Sequence, residues 1–542
     1  MFSNQPEIRL KNTGGAGHSR IKLIYAPYIV NVVSLSSGSP GLLPLTPRGT
    51  MSKLLVSAAI VSSVLSAPAA DKIAYLPGFG NASSWPFDAY SGFLTVPGPF
   101  ELNPYDSLKI HYQFHTSQRN PQKDPLVTWH QGGPGGSSIL VGLYTEMGYF
   151  QIETDESGQT NTYANPFSWN KVSNMLYLES PAGSGQTSGY SECIKGGVKV
   201  GCSWDDVSQA EAYSHSLRAF KTAFPEFADN DLYLTGESYF GQYGPNIANY
   251  ILTHEPYNSS LGLKGIAAGN ACWGGTATRV ECNGPNSQQN DVDMYFGKGM
   301  VSKKLYDAVY KECNFPDISA RCDELIEQVH IEVGPHNVYN IYDNCPDQAA
   351  VLKKEGKSMR WLKDHLRARL STGTSALVEG TSEPAQTGGF DWSCGGMDAT
   401  EKWITTPEVR AALHLPSSSG STFQYRSSGP ASVTLWPFLA TKIRCLVYNG
   451  DADACVPYKG NEEWIDALEK TGTIAEKEAW RPWYTAKDSR APSGYVTSYT
   501  VPSAPKLDFS FVTIRLAGHM VPTFQPAASL AFYQRFIDGE AF

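Results

Sequence analysis

Along most of the chain beyond residue 70, short apolar runs rich in β-branched residues alternate with amphipathic stretches. Six runs predict strands, at 126–129, 175–178, 231–235, 263–268, 443–448 and 511–516. Several are apolar at nearly every position, the pattern of strands covered on both faces of a sheet. Helical spacing fills the intervals, for instance at 205–224 and 525–536. Such alternation predicts an α/β fold with a mostly parallel, doubly wound sheet. The rhythm breaks from 272 to about 400, where Cys and polar residues are frequent. Short helices are predicted there at 302–313 and 351–370, followed by a Ser/Thr/Gly/Pro-rich loop at 371–389 that is open to proteolytic nicking. This interval reads as a helical cap insertion carrying disulfides. It divides the chain into core 71–271, cap 272–400 and core 401–542.

The N-terminus changes the picture. From Met51 the chain has one lysine, Lys53, an apolar run over 54–65, and then small residues. That is the pattern of a signal peptide, placed at 51–70. The run is too short to span a bilayer, so no membrane attachment is expected after cleavage. Residues 1–50 show no periodic pattern and are expected to be a disordered upstream extension. Two sequons, at Asn81 and Asn258, agree with export to the secretory pathway, whether the destination is the exterior or a vacuolar, lysosome-like compartment.

Ten cysteines, most crowded between Cys193 and Cys394, predict up to five disulfides in an oxidising compartment. Cys193 and Cys202, which flank Gly196-Gly197, are the best local pair. No zinc-type Cys or Cys/His spacing occurs, so neither metal nor cofactor is expected. A net charge of −9 without a basic run argues against nucleic acid and anionic lipid as partners.

Four motifs carry chemistry. In Gly236-Glu237-Ser238-Tyr239 a strand meets a helix, the context that exposes a nucleophilic serine on a tight turn. The Tyr239 N–H at the helix start can then stabilise negative charge on a reacting carbonyl oxygen. Trp129-His-Gln-Gly-Gly-Pro-Gly-Gly-Ser-Ser138 follows another strand, and its glycines let backbone N–H groups approach a ligand closely. Tyr448-Asn-Gly-Asp-Ala-Asp-Ala-Cys-Val-Pro457 offers a loop carboxylate, and Ile514-Arg-Leu-Ala-Gly-His519 places a histidine past the last strand. The order Ser, Asp, His is that of α/β-hydrolases.

With 165-Asn-Pro-Phe-Ser-Trp-169, Leu178-Glu-Ser-Pro-Ala-Gly-Ser-Gly185, Lys264-Gly-Ile-Ala-Ala-Gly-Asn270 and Thr406-Pro-Glu-Val-Arg-Ala-Ala-Leu-His414, the chain resembles the serine carboxypeptidase family from about Tyr90 to Phe536. The resemblance implies an α/β-hydrolase fold and removal of C-terminal residues from peptide or protein substrates through an acyl-enzyme at acidic pH. It implies Ser238 as nucleophile, His519 as general base and then acid, and Asp453 as the group that orients the imidazole. Asp451 is the alternative acid, disfavoured because the pattern places the acid before Ala-Cys-Val-Pro. The amides of Gly133 and Tyr239 correspond to the oxyanion hole. Gln131, Gly132 and Glu237 correspond to the binding site for the substrate's free carboxylate, supported by Glu146 and Trp129. A glutamate beside a carboxylate is expected to be protonated, which favours binding in acid.

The sequence departs from the family at four places. Gln131 stands for Asn, Gly136 for Cys, Phe240 for a small residue, and Gln186-Thr187 for Phe-Ser. The longer Gln131 is expected to shift the carboxylate geometry or turn its amide elsewhere. Gly136 removes the disulfide that anchors the loop, and Phe240 is expected to crowd the elbow. Two other readings remain open: an acyltransferase on the same fold, or a catalytically weak binding protein.

Overall fold

The computed structural model describes residues 67–154, 160–185, 189–276, 280–343 and 397–542. The chain divides into two units, Met1–Ser63 and Val64–Phe542. Of the first, only the backbone of a small antiparallel pair, Ile24–Tyr25 with Tyr28–Ile29, is described. The expected signal run, the helix at 351–370, the loop at 371–389 and Gln186-Thr187 lie outside the described residues. The last residues of the expected signal peptide, 67–70, lie inside them: the Ala67 N–H donates to Glu226 Oε1 at 2.9 Å.

Twelve strands make one sheet: β1 (Ala89–Pro97), β2 (Ser107–His115), β3 (Leu126–His130), β4 (Asn174–Leu178), β5 (Glu192–Lys195), β6 (Val198–Val200), β7 (Leu232–Glu237), β8 (Leu263–Gly269), β9 (Arg444–Gly450), β10 (Ala475–Trp483), β11 (Gly494–Thr500) and β12 (Asp508–Ile514). Their order is β6-β5-β2-β4-β3-β7-β8-β9-β12-β11-β10, with β1 along the other edge of β2. The run β4-β3-β7-β8-β9-β12 is parallel throughout. Every other ladder is antiparallel. The sheet is therefore mixed, parallel only at its centre, where the sequence predicts a mostly parallel one. The six apolar runs are the central strands, buried on both faces. β10 faces solvent in part and so carries polar residues, whereas β2 buries His111, Gln113 and His115; both patterns hide these strands from a search for apolar runs.

Side chains alternate across the central strands and build two cores. Leu234, Ile266 and Val447 point to the layer holding α1 (Asp206–Ala223) and α2 (Phe240–Thr253). Their neighbours Tyr233, Ala267 and Leu446 point to the opposite layer, where Phe532, Tyr533 and Phe536 of the helix Pro526–Asp538 pack. This is the doubly wound arrangement.

The cap segment has its own apolar cluster, formed by α3 (Ser287–Gly297), α4 (Lys303–Glu312) and α5 (Ala320–Val333). Ala454 of the core joins that cluster, so the cap touches the loop carrying Asp453. Three disulfides are described, Cys193–Cys202, Cys272–Cys282 and Cys313–Cys322. The first is the pair expected from spacing. Cys445 is a buried thiol on β9, so the upper bound of five disulfides is not reached. No described helix is long and apolar enough to cross a membrane.

Candidate active site

The four motifs that carry chemistry sit at the C-terminal ends of central parallel strands, where α/β sheets gather their sites. β7 ends in Glu237, and Ser238 follows with φ 62°, a left-handed conformation that costs a non-glycine residue energy. Three backbone hydrogen bonds hold it: Ser238 N–H to Gly269 O (2.9 Å), and Cys272 N–H (3.0 Å) and Gly241 N–H (2.9 Å) to Ser238 O. Phe240 does not crowd this turn as expected. Its ring is fully buried between Gly236 and Gly244, and a Cβ at either glycine would strike it. The two missing side chains make the room.

Asp453 and His519 meet at 2.7 Å, between Oδ2 and Nδ1. Asp453 also accepts from Asn270 Nδ2 (2.7 Å), Cys455 N–H (2.8 Å) and Val456 N–H (3.2 Å). Burial pulls the His519 pKa down, but the charge and hydrogen bond of Asp453, with Glu237 behind them, leave it above the usual histidine value. Asp451 is engaged elsewhere: it accepts from Leu516 N–H at 2.8 Å and pairs with Lys298 at 3.1 Å. These contacts hold it at the turn. Ser238 Oγ makes no hydrogen bond among the described residues.

Sequence reasoning missed two supports of this relay. Asn270 lies just past β8, and its Oδ1 accepts from Gly450 N–H at 3.1 Å while its amide holds Asp453. Its position at a central strand end was the available clue. Tyr339, from the cap segment, accepts the His519 N–H at 2.7 Å and lays its ring 5.3 Å from the imidazole. No local pattern marks it.

On the other side of Ser238 the glycine loop after β3 comes within contact. A Cβ on Gly132 would lie 2.6 Å from both Ser238 Cβ and Tyr239 N, so only glycine allows the approach. Gly133 adopts φ 115°, open to glycine alone. Beyond the loop, Trp129 Nε1 donates to Gln131 Oε1 (2.9 Å), and Gln131 Nε2 donates to Glu237 Oε1 (2.7 Å). The Gln131 amide thus points into the proposed carboxylate site. Its extra methylene has room because residue 136 is glycine: a Cβ there would lie 2.9 Å from Gln131 Cγ. Two departures from the family are one packing event. Without a disulfide, the loop is fastened by Gly185 N–H to Gly135 O (3.1 Å) and by Ser137 Oγ to Glu179 (3.0 Å).

Glu146 ends the wide helix Ser138–Glu146, and it interacts with Glu237 in the buried interior. Apart from each other, both oxygens of Glu146 and Oε2 of Glu237 meet no N–H or O–H donor among the described residues. Burial raises Glu237 to about 7, against the lowering influence of His519, Gln131 and Glu146. Burial and the Glu237 charge push Glu146 well above the carboxylate range. Two carboxyl groups in contact cannot both ionise cheaply, so the pair holds a proton near neutrality.

A family model described as serine carboxypeptidase matches residues 77–539. The chain is 31% identical to the lysosomal protective protein of Mus musculus over 88% of this chain and 95% of the relative. It is 30% identical to serine carboxypeptidase-like 20 of Arabidopsis thaliana, over 88% and 94%. In fold it is similar to a prohormone-processing carboxypeptidase from Saccharomyces cerevisiae, with TM-score 0.57, 20% identity, and coverage of 88% and 97%. With an α/β-hydrolase core carrying these motifs at its strand ends, the chain belongs to the serine carboxypeptidase family and is a serine-type carboxypeptidase, a hydrolase acting on peptides.

Proposed function

We propose that peptide C-termini are cleaved through an acyl-enzyme on Ser238, in acid. The observation that carries this reading is the buried Glu237–Glu146 pair beside the serine, three of whose oxygens meet no donor outside the pair among the described residues. His519 takes the Ser238 proton as Oγ attacks the scissile carbonyl, and then gives it to the departing amino acid. Asp453 holds the imidazole's orientation, and the Gly133 and Tyr239 amides receive the oxyanion. Water attacks the ester with the same histidine as base. Glu237, neutral and held by Gln131 on Trp129, donates to the substrate's free carboxylate together with the Gly132 amide.

The pH dependence follows from the coupling between the two groups. Above about 7, Glu237 ionises and repels the substrate carboxylate. Below it, Glu237 is neutral and donates to that carboxylate, while protonation also removes one of the negative charges that raise His519, leaving Asp453 to hold it up. The proton on Glu237 therefore favours binding.

Localisation in the secretory pathway, outside the cell or in a lysosome-like compartment, is supported by the disulfides, by exposed side chains at both sequons, and by the lysosomal relative. We also retain the boundaries at 71, 272 and 401.

The test is release of free amino acid from an N-blocked dipeptide at pH 4–6, with and without a serine-directed organophosphate. Release that the inhibitor and Ser238→Ala both abolish is expected. Inhibitor-insensitive release, or a KM flat from pH 4 to 8, would sink the reading.

A further inference from the structure

One buried carboxylate outside the triad and the glutamate pair sits behind the oxyanion hole. Asp206, at the first position of α1, is completely buried and accepts four hydrogen bonds. Its Oδ1 receives the hydroxyls of Tyr239 (2.9 Å) and Tyr425 (2.8 Å). Its Oδ2 receives the N–H groups of Ser428 (2.6 Å) and Gly429 (2.8 Å). Ser427 Oγ lies 2.6 Å from the same Tyr239 hydroxyl. Residues 425–429 thus hang on one carboxylate, and so does the far end of Tyr239.

The same segment reaches the other arm of the hole. Its strand Phe423–Arg426 pairs with Cys202–Asp205, which leads directly into Asp206. The Phe423 ring presses on Gly135, where a Cβ would come within 2.5 Å of it. Gly135 is two residues from the Gly133 amide. One oxyanion donor is therefore tied to Asp206 through its own side chain, and the other is covered by the strand that Asp206 fastens.

We propose that Asp206 is a positioning residue that locks both arms of the oxyanion hole, acting through the Tyr239 hydroxyl and the 423–429 segment. Oxyanion donors act through direction, and errors of 10–20° or half an ångström erode them. The backbone bonds of Ser238 fix one side of the Tyr239 peptide. The phenol, held 2.9 Å from Asp206, fixes the side chain that shares its Cα. The proposal rests on the Tyr239 amide serving as an oxyanion donor.

It is tested with Asp206→Ala, Asp206→Asn and Tyr239→Phe, with rates normalised to the fraction of enzyme labelled by an organophosphonate. Removing a whole oxyanion donor costs about 100- to 1000-fold in kcat. Misaiming one is expected to cost about 10- to 100-fold in D206A and several-fold in Y239F, with KM within about twofold. A peptidyl aldehyde, which mimics the tetrahedral intermediate, should lose affinity by the same factor. The blocked amino-acid product should not. Asparagine can accept the two backbone N–H groups and donate to the phenols, so D206N should recover most of kcat. If D206A does not fold, Y239F decides. Unchanged normalised kcat in the variants that fold, or equal losses for aldehyde and product, would overturn the proposal and leave Asp206 a structural anchor. Ser238→Ala separates the two levels: activity surviving there defeats the acyl-enzyme reading, whereas an inactive S238A beside unaffected Tyr239→Phe defeats only the role of Asp206.

Discussion

Asp453 and Glu237 flank the same serine and are equally buried, yet they are supplied differently. Four donors converge on Asp453: Asn270, His519 and two backbone amides. Outside their mutual contact, Glu237 has one, from Gln131, and its neighbour Glu146 has none among the described residues. Burial alone does not decide what a carboxyl group does; the number of donors aimed at it does. The first arrangement suits a group that holds an imidazole in place. The second suits a carboxylic acid that waits to donate a proton's hydrogen bond to an incoming anion.

The two sides can be broken separately. The largest effect is expected from Ser238→Ala, on which both depend, with kcat down by about 10⁴ or more and organophosphate labelling lost. On the relay side, Asn270→Ala strips one donor from Asp453 and leaves Gly450 N–H without its acceptor. We expect kcat to fall about 30-fold with little change in KM, measured in steady state on a blocked dipeptide. On the glutamate side, KM of the wild type should rise about tenfold between pH 6 and 8, as Glu237 loses its proton. The double substitution Glu146→Gln/Glu237→Gln should flatten that rise without moving the kcat profile to the same extent.

Stability carries the same signature. The Glu237 pKa is raised in the folded chain, so the native state binds the proton more tightly than the unfolded one. Its contribution is complete below the ordinary carboxyl pKa, 4.5, and is lost as pH rises through about 7. Thermal unfolding should show a falling Tm over that window, and the double Gln variant should lack this slope. The smallest effect tests the Gln131–Gly136 packing. Gly136→Ala should cost about 1–3 kcal/mol in denaturant unfolding, and Gln131→Asn in the same chain should return part of it.

How legible all this was in the sequence varied with the range of the interaction. The six apolar runs of the sheet centre were plain, because strands buried on both faces tolerate little else. The flanking strands were not, since β10 carries Glu476, Lys477, Glu478 and Arg481 on its partly exposed course. Ser238, Asp453, His519 and the glycine loop were legible because a left-handed serine and a close backbone approach each demand particular neighbours. Phe240 and Gln131 looked like defects when read one position at a time. Gly236 and Gly244 make the first fit, and Gly136 the second. Both compensations lie within nine residues of the side chain they relieve. Sequence could have offered them had volume been counted together with identity.

What the sequence determined by itself is the set of candidate groups: a serine, an acid and a histidine in order, each placed just after a strand, with glycines where backbone comes close to the serine. Such requirements are local and leave local marks. Only the tertiary structure decided which distant groups hold those candidates in place. Asn270 behind Asp453, Tyr339 against His519 and Asp206 behind Tyr239 are joined by contacts between segments remote in the chain. A hydrogen bond across the fold imposes no spacing on the sequence, so it stays invisible until the strands are set side by side.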